Sequence, residues 1–197
     1  MRGIGLAAAV GLAVAVLVRA PSAGAAPQRL TLDPGATTIA FTLGATLHTV
    51  AGQLRLVAGE IRFDPDTGSA SGEIVVDATS ARTGLAARDR NMHRDVLESE
   101  RYPRIVFRAE RLRSLRREAR GARVELAGVL EMHGQRHPLV LPVRVEAAGE
   151  SVAIETSFRV PYVDWGMQDY SSFLLRVDRF VDVTVGASGR VAPEEPE

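Results

Sequence analysis

Apolar and polar residues alternate with a period of two over most of this chain. Ile39, Phe41 and Leu43 are separated by Ala40 and Thr42. Val152, Ile154, Thr156, Phe158 and Val160 alternate with Ala153, Glu155, Ser157 and Arg159. Val124, Leu126, Leu130 and Met132 share a face opposite Arg123, Glu125 and Glu131, and Leu139, Leu141, Val143 and Val145 oppose Pro142, Arg144 and Glu146. Val181, Val183 and Val185 repeat the pattern near the end. Successive strand side chains point to opposite faces, so each run predicts a strand with one apolar and one wet side. Turn chemistry separates the runs: Asp64-Pro65-Asp66-Thr67-Gly68, His133-Gly134-Gln135-Arg136 and Gly149-Glu150. The expected fold is all-β, an antiparallel sheet closed into a barrel so that no strand edge is left open.

Two stretches break the rhythm. Residues 83–101 show no alternation and carry Leu85, Met92, Val96 and Leu97 among many charges, which predicts a helical excursion over one barrel end. Residues 162–175 concentrate Tyr162, Trp165, Tyr170 and Phe173 around Gly166 and predict a loop at a barrel mouth, where binding usually resides.

The chain ends refine this picture. Met1-Arg2, an apolar run from Ile4 to Val18 and the small residues Ala23-Gly24-Ala25 have the order of a secretory signal, with cleavage expected after Ala25. The apolar run is shorter than the roughly 20 residues of a spanning helix, so stable membrane insertion after cleavage is not expected. Domain boundaries follow: signal peptide 1–25, barrel 26–192 and a disordered, solvated tail 193–197. The expected location is periplasmic or secreted.

There is no cysteine, which excludes disulfides, a thiol nucleophile and thiolate-held zinc. All 24 basic side chains are arginine and are balanced by 24 carboxylates. A generally basic nucleic-acid surface is not indicated. The arginine-rich stretch 101–123 reads as a solvated hairpin whose charge blocks edge pairing, with proximity to anionic lipid headgroups as the alternative.

A series of short motifs resembles the YceI-like polyisoprenoid-binding family from about Leu30 to Val185. They are Asp33, His48-Thr49-Val50-Ala51-Gly52, Gly59-Glu60-Ile61-Arg62-Phe63-Asp64, Thr83 with Arg88-Asp89, Tyr102-Pro103-Arg104-Ile105-Val106-Phe107, Gly128 to Gly134 with Leu139 to Val143, and Val163-Asp164-Trp165-Gly166. Two departures stand out. Gly35-Ala36-Thr37 replaces the family's His-Ser, and the family's helix histidine falls two residues later, at His93. The resemblance implies a lipocalin-like barrel of about eight strands holding a long isoprenoid, such as a prenyl phosphate or quinone tail, or another amphiphilic lipid. No other cofactor is implied. Members are often described as dimers, which leaves a homodimer as the expected protein partner. An eight-stranded barrel has room for one thin ligand. Each buried methylene contributes roughly 0.8 kcal/mol, so a long tail binds without specific contacts.

Candidate lining residues for the lipid tail are Phe41, Phe63, Phe107, Phe158, Trp165 and Phe173. Candidate head-group residues are Arg88, Asp89 and His93, with an Arg–Asp pair that pins the helix to the barrel as the structural reading. Asp89 and His93, four residues apart on one helical face, are the candidate general base of a hydrolase, but no nucleophile motif such as Gly-x-Ser-x-Gly accompanies them. His133 and His137 flank a short turn and could face each other as metal ligands, but a third ligand is missing and no metal is expected. His48 reads as structural. The expectation is therefore a non-catalytic carrier. The alternatives are an envelope stress or interaction module with a filled barrel, and a small hydrolase.

Overall fold

Eight antiparallel strands close on themselves in chain order, each hydrogen-bonded to the next and the last to the first. The coordinates are a computed structural model that describes residues 26–46, 48–172 and 176–194. The strands are β1 (Gln28–Leu43), β2 (Val50–Phe63), β3 (Ser69–Arg82), β4 (Arg104–Glu118), β5 (Gly121–Met132), β6 (Gln135–Ala148), β7 (Ser151–Val160) and β8 (Val181–Pro193). A helix, α1 (Ala86–Asn91), runs directly into a wider π-type turn over Met92–Val96 between β3 and β4. The predicted signal peptide and Phe173 lie outside the described residues.

Neighbour-to-neighbour order places the connections at two ends. The β2–β3, β4–β5 and β6–β7 turns are short and lie together with the start of β1, here called the hairpin end. The opposite cap end collects the β1–β2 link, the helix, the β5–β6 turn and the long β7–β8 connection. At the β5–β6 turn His133 and Gly134 are both left-handed (φ 52° and 71°), the two-residue geometry whose twist matches paired strands. The strand resumes at Gln135, so the turn is tighter than its sequence predicted.

Alternation determines the wall. Leu126 and Leu130 of β5 are buried inside, and Arg108, Glu131, Arg136, Arg144, Arg159 and Asp182 form ion pairs on the outside. An outer-membrane barrel has an apolar exterior and a polar interior; this wall is the reverse and faces water. Inside, one cluster gathers Ile61, Phe107, Ala109, Leu126, Leu130 and Leu141, and a second gathers Leu32, Ile39, Leu56 and Ala187. Gly128 is required by the first: a Cβ there would lie 2.7 Å from Phe107 Cζ and 2.1 Å from the Arg108 carbonyl.

Bulges hide strand length from a period-two reading. In β1 the register shifts between Leu32 and Thr37, where Asp33 Oδ1 accepts the Gly35 amide at 2.8 Å. In β3 four residues, 78–81, face one residue of β2. There Ser80 Oγ accepts the Arg55 amide (2.8 Å) and donates to the Asp77 carbonyl (2.6 Å), replacing lost ladder bonds. Regular pairing also reaches residues 193 and 194. Pro193 pairs with Gln28, and Glu194 bonds to Arg29 and Arg62, so ion pairing and a strand partner extend order past residue 192.

Candidate functional site

The barrel is hollow. An apolar lumen of about 660 Å³ runs along its axis, within the roughly 300–1,000 Å³ of typical ligand cavities. At the hairpin end its lining begins with Leu112, Leu115, Val124 and Val145; it ends under Met92, Val96, Leu97, Tyr162 and Tyr170 at the cap. A barrel packed solid, the premise of the interaction-module alternative, does not describe this interior.

Four of the six predicted lining aromatics, Phe41, Phe63, Phe107 and Phe158, border the lumen. Trp165 does not. Its ring stacks on His137 at 3.8 Å between centroids and 5° between planes. The reason is a seam in the wall: paired registration of β6 with β7 stops at Val143 and Thr156. The turn after β7 occupies the widening gap, with Gly166 against the Gln135 side chain and Trp165 against His137. Burial lowers the His137 pKa, its Nε2 has no hydrogen-bond partner, and Thr156 Oγ1 at the edge of the seam is equally unpartnered.

The helix is fastened through one threonine. Asp89 Oδ1 accepts both the amide (2.8 Å) and the hydroxyl (2.5 Å) of Thr83, and Arg88 donates Nε to the same hydroxyl (2.7 Å) and Nη2 to its carbonyl (2.9 Å). These bonds, the Thr83 hydroxyl foremost, hold the Asp89 carboxyl below its ordinary pKa. Arg88 and Asp89 therefore meet at the end of β3 rather than in a simple ion pair. Arg88 and Thr83 border the lumen; Asp89 and His93 face a separate groove between helix and wall.

His93 is held elsewhere, by Ser99 Oγ at Nδ1 and the Ala81 carbonyl at Nε2, both at 2.9 Å. The hydrogen-bonded Asp89–His93 pair of the hydrolase alternative is not formed, because each partner is engaged by the wall. His133 and His137 do not converge either. His133 Nε2 lies 3.0 Å from Glu98, with its ring tilted against Tyr102, and His137 stacks on the tryptophan. Among the described residues no group of three or more His, Cys, Asp or Glu is arranged to hold a metal.

A second fastening crosses the mouth. Tyr170, on the β7–β8 connection, donates its hydroxyl to Asp95, which also receives Arg94. Arg94 first and Tyr170 second keep the Asp95 carboxyl below its usual range. Tyr162 beneath is buried, which pushes its pKa up to about 12. The clasp joins a helix to a loop some 75 residues away in sequence, and no local pattern announces it. Leu112 and Leu115 escape the period-two reading for a different reason. The β4–β5 register shifts between Leu112 and Ser114, so two inward residues stand three apart.

A closed eight-stranded antiparallel barrel around an apolar lumen, with a helix over one end, defines a lipocalin-like barrel protein. Residues 30–189 match the YceI-like domain, and the chain belongs to that family. None of the curated proteins compared with it matches. Among solved structures, the fold is similar to that of Burkholderia cenocepacia BcnA (TM-score 0.68, 15% identity, 80% of this chain and 98% of that one). A polyisoprenoid binding domain from Saccharophagus degradans implicated in plant cell wall breakdown is similar too (0.65, 15%, 83% and 98%). So is the Campylobacter jejuni YCEI protein (0.56, 15%, 77% and 88%).

Proposed function

We propose that this protein is an exported, non-catalytic carrier whose lumen holds the tail of one long-chain isoprenoid, such as a prenyl phosphate or quinone, or another amphiphilic lipid. The continuous apolar lumen carries the reading. Such a tail gains roughly 0.8 kcal/mol for each methylene removed from water, and this lining offers it little polar competition. The polyisoprenoid binding domain from Saccharophagus degradans, which shares the fold, supports the class of cargo. Phe41, Phe63, Phe107 and Phe158 would contact the tail. At the cap, Arg88, which donates Nε and Nη2 to Thr83, would meet the head group with Nη1, while Asp89 and His93 hold its helix. A periplasmic or secreted location rests on the leader pattern of residues 1–25.

The test is native mass spectrometry with organic extraction of the mature protein, followed by uptake of a fluorescent prenyl or acyl chain. Val185→Trp, opposite Ile39 and Thr156 in mid-barrel, should weaken uptake at least tenfold by filling the lumen. Overpacking of this kind costs about 1–3 kcal/mol, so circular dichroism should still show a folded barrel. No co-purified lipid, together with no uptake by the wild type, would sink the proposal.

A further inference from the structure

The β4–β5 hairpin carries charge that the fold leaves unbalanced. Between residues 111 and 123, the part of β4–β5 at the hairpin end, there are six arginines and one glutamate, in a chain whose net charge is zero. Arg108 is neutralised by Glu73 and Glu131, and Arg123 pairs with Glu118. Arg111, Arg113, Arg116, Arg117 and Arg120 are exposed and make no ion pair or side-chain hydrogen bond among the described residues.

Register makes the excess sharper. Arg116 of β4 lies directly opposite Arg123 of β5, which lies opposite Arg144 of β6. Three guanidinium groups thus stand in one row on the wet face, about 5 Å apart at their Cα atoms; Glu118 pairs with Arg123 and Glu146 with Arg144, which leaves Arg116 without an ion pair among the described residues. Like charges directly opposite destabilise a sheet. An anionic partner would relieve that cost and use the bidentate geometry in which arginine binds phosphate.

We propose that the β4–β5 hairpin, with Arg144 beside it, is a docking surface for an anionic phospholipid bilayer. The bilayer is chosen over a soluble polyanion because the inner face of the same hairpin, through Leu112, Leu115 and Val124, is lumen lining. That choice rests on the lipid-carrier reading. The docking end would be opposite the helix cap, so cargo would exchange beside the hairpin. Ala119 and Arg120 form the tip, and with no large apolar side chain there the protein sits on the bilayer rather than in it.

The experiment is sedimentation of the full mature protein with vesicles of phosphatidylglycerol and phosphatidylcholine, or of phosphatidylcholine alone. Each arginine near an anionic surface contributes enough that Arg116→Gln/Arg117→Gln/Arg120→Gln should bind the anionic vesicles on the order of 100-fold more weakly. The control Arg82→Gln/Arg90→Gln, at the cap end, should bind as the wild type does. Equal binding to both vesicle types, wild-type binding by the triple variant, or no wild-type binding overturns the proposal. So does arginine-dependent binding of inorganic polyphosphate without vesicle binding, which would assign the row to a soluble polyanion. Uptake of a fluorescent prenyl chain supplied without vesicles separates the two readings. If uptake fails while vesicles bind through the arginines, the carrier reading falls and the surface stands.

Discussion

The cap end of this barrel and its β4–β5 hairpin treat charge in opposite ways. At the cap end most ionised groups have a specific partner: Asp89 on Thr83, Asp95 between Arg94 and Tyr170, Glu98 on His133, and Arg179 on Asp164 and Asp169. Those bonds tie a helix and a long connection across a mouth that regular strand pairing could not close. At the hairpin end the backbone ladder needs no such help, because β4 and β5 pair down to Glu118 and Gly121. Beyond the ion-paired Arg108 and Arg123, the arginines of this hairpin are left facing water. Charges at the cap hold structure together, whereas Arg111, Arg113, Arg116, Arg117 and Arg120 of the hairpin make no ion pair among the described residues. That difference points to the hairpin as a surface for a partner.

The contrast can be broken most strongly at Thr83. Thr83→Val removes the hydroxyl that serves both Asp89 and Arg88 and leaves the backbone bonds in place. Bonds to charged groups contribute about 1.5–3 kcal/mol, and the loss should appear as faster amide exchange over residues 86–97. Protection unchanged there would mean that apolar packing alone holds the helix. Thr156→Val tests the seam. It replaces an unpartnered buried hydroxyl, so stability should stay level or rise by about 1 kcal/mol in chemical denaturation. A loss would mean that the hydroxyl has a partner in solution.

Acid should affect the cap before it affects the hairpin. The folded pKa of His137 is depressed by burial. Its contribution is therefore complete above the ordinary imidazole value of about 6.5 and is lost as pH falls through the folded value. Asp89 behaves alike at lower pH, since its folded pKa lies below the ordinary carboxylate value. Tm followed downward from pH 8 should fall first with the imidazole, and His137→Phe should flatten that step. A step of the same size in the variant would place the titration elsewhere. The smallest effect belongs to the arginine row. Arg116→Thr, which removes the unpaired member of the row opposite Arg123, should raise stability by about 0.5 kcal/mol at low salt, and added salt should erase the gain. A loss of stability at low salt would show that the row is not repulsive.

Much of the barrel was legible in the residues because a strand with one wet face prints its geometry directly as alternation. The runs at 39–43, 124–132, 139–145, 152–160 and 181–185 all lie in strands with the expected apolar face inward. β3 and most of β1 and β2 were harder to see, because bulges at residues 32–37 and 78–81 shift the face in mid-strand. The helix was visible as an interruption, and four of the five predicted lining phenylalanines border the lumen in the described residues. Trp165 was misplaced because its neighbour His137 is brought to it only by the divergence of β6 from β7.

The sequence by itself determined period-two wall positions, the short turns and the absence of thiol chemistry, since each depends on residues close together in the chain. The tertiary structure decided that the interior is a lumen rather than a filled core, because that depends on how eight apolar faces meet at one axis. It also decided that Asp89 and His93 bond to the wall instead of to each other, and that three arginines from three strands stand in one row. Such pairings are fixed by strand register, and register is a property of the closed sheet rather than of any one strand.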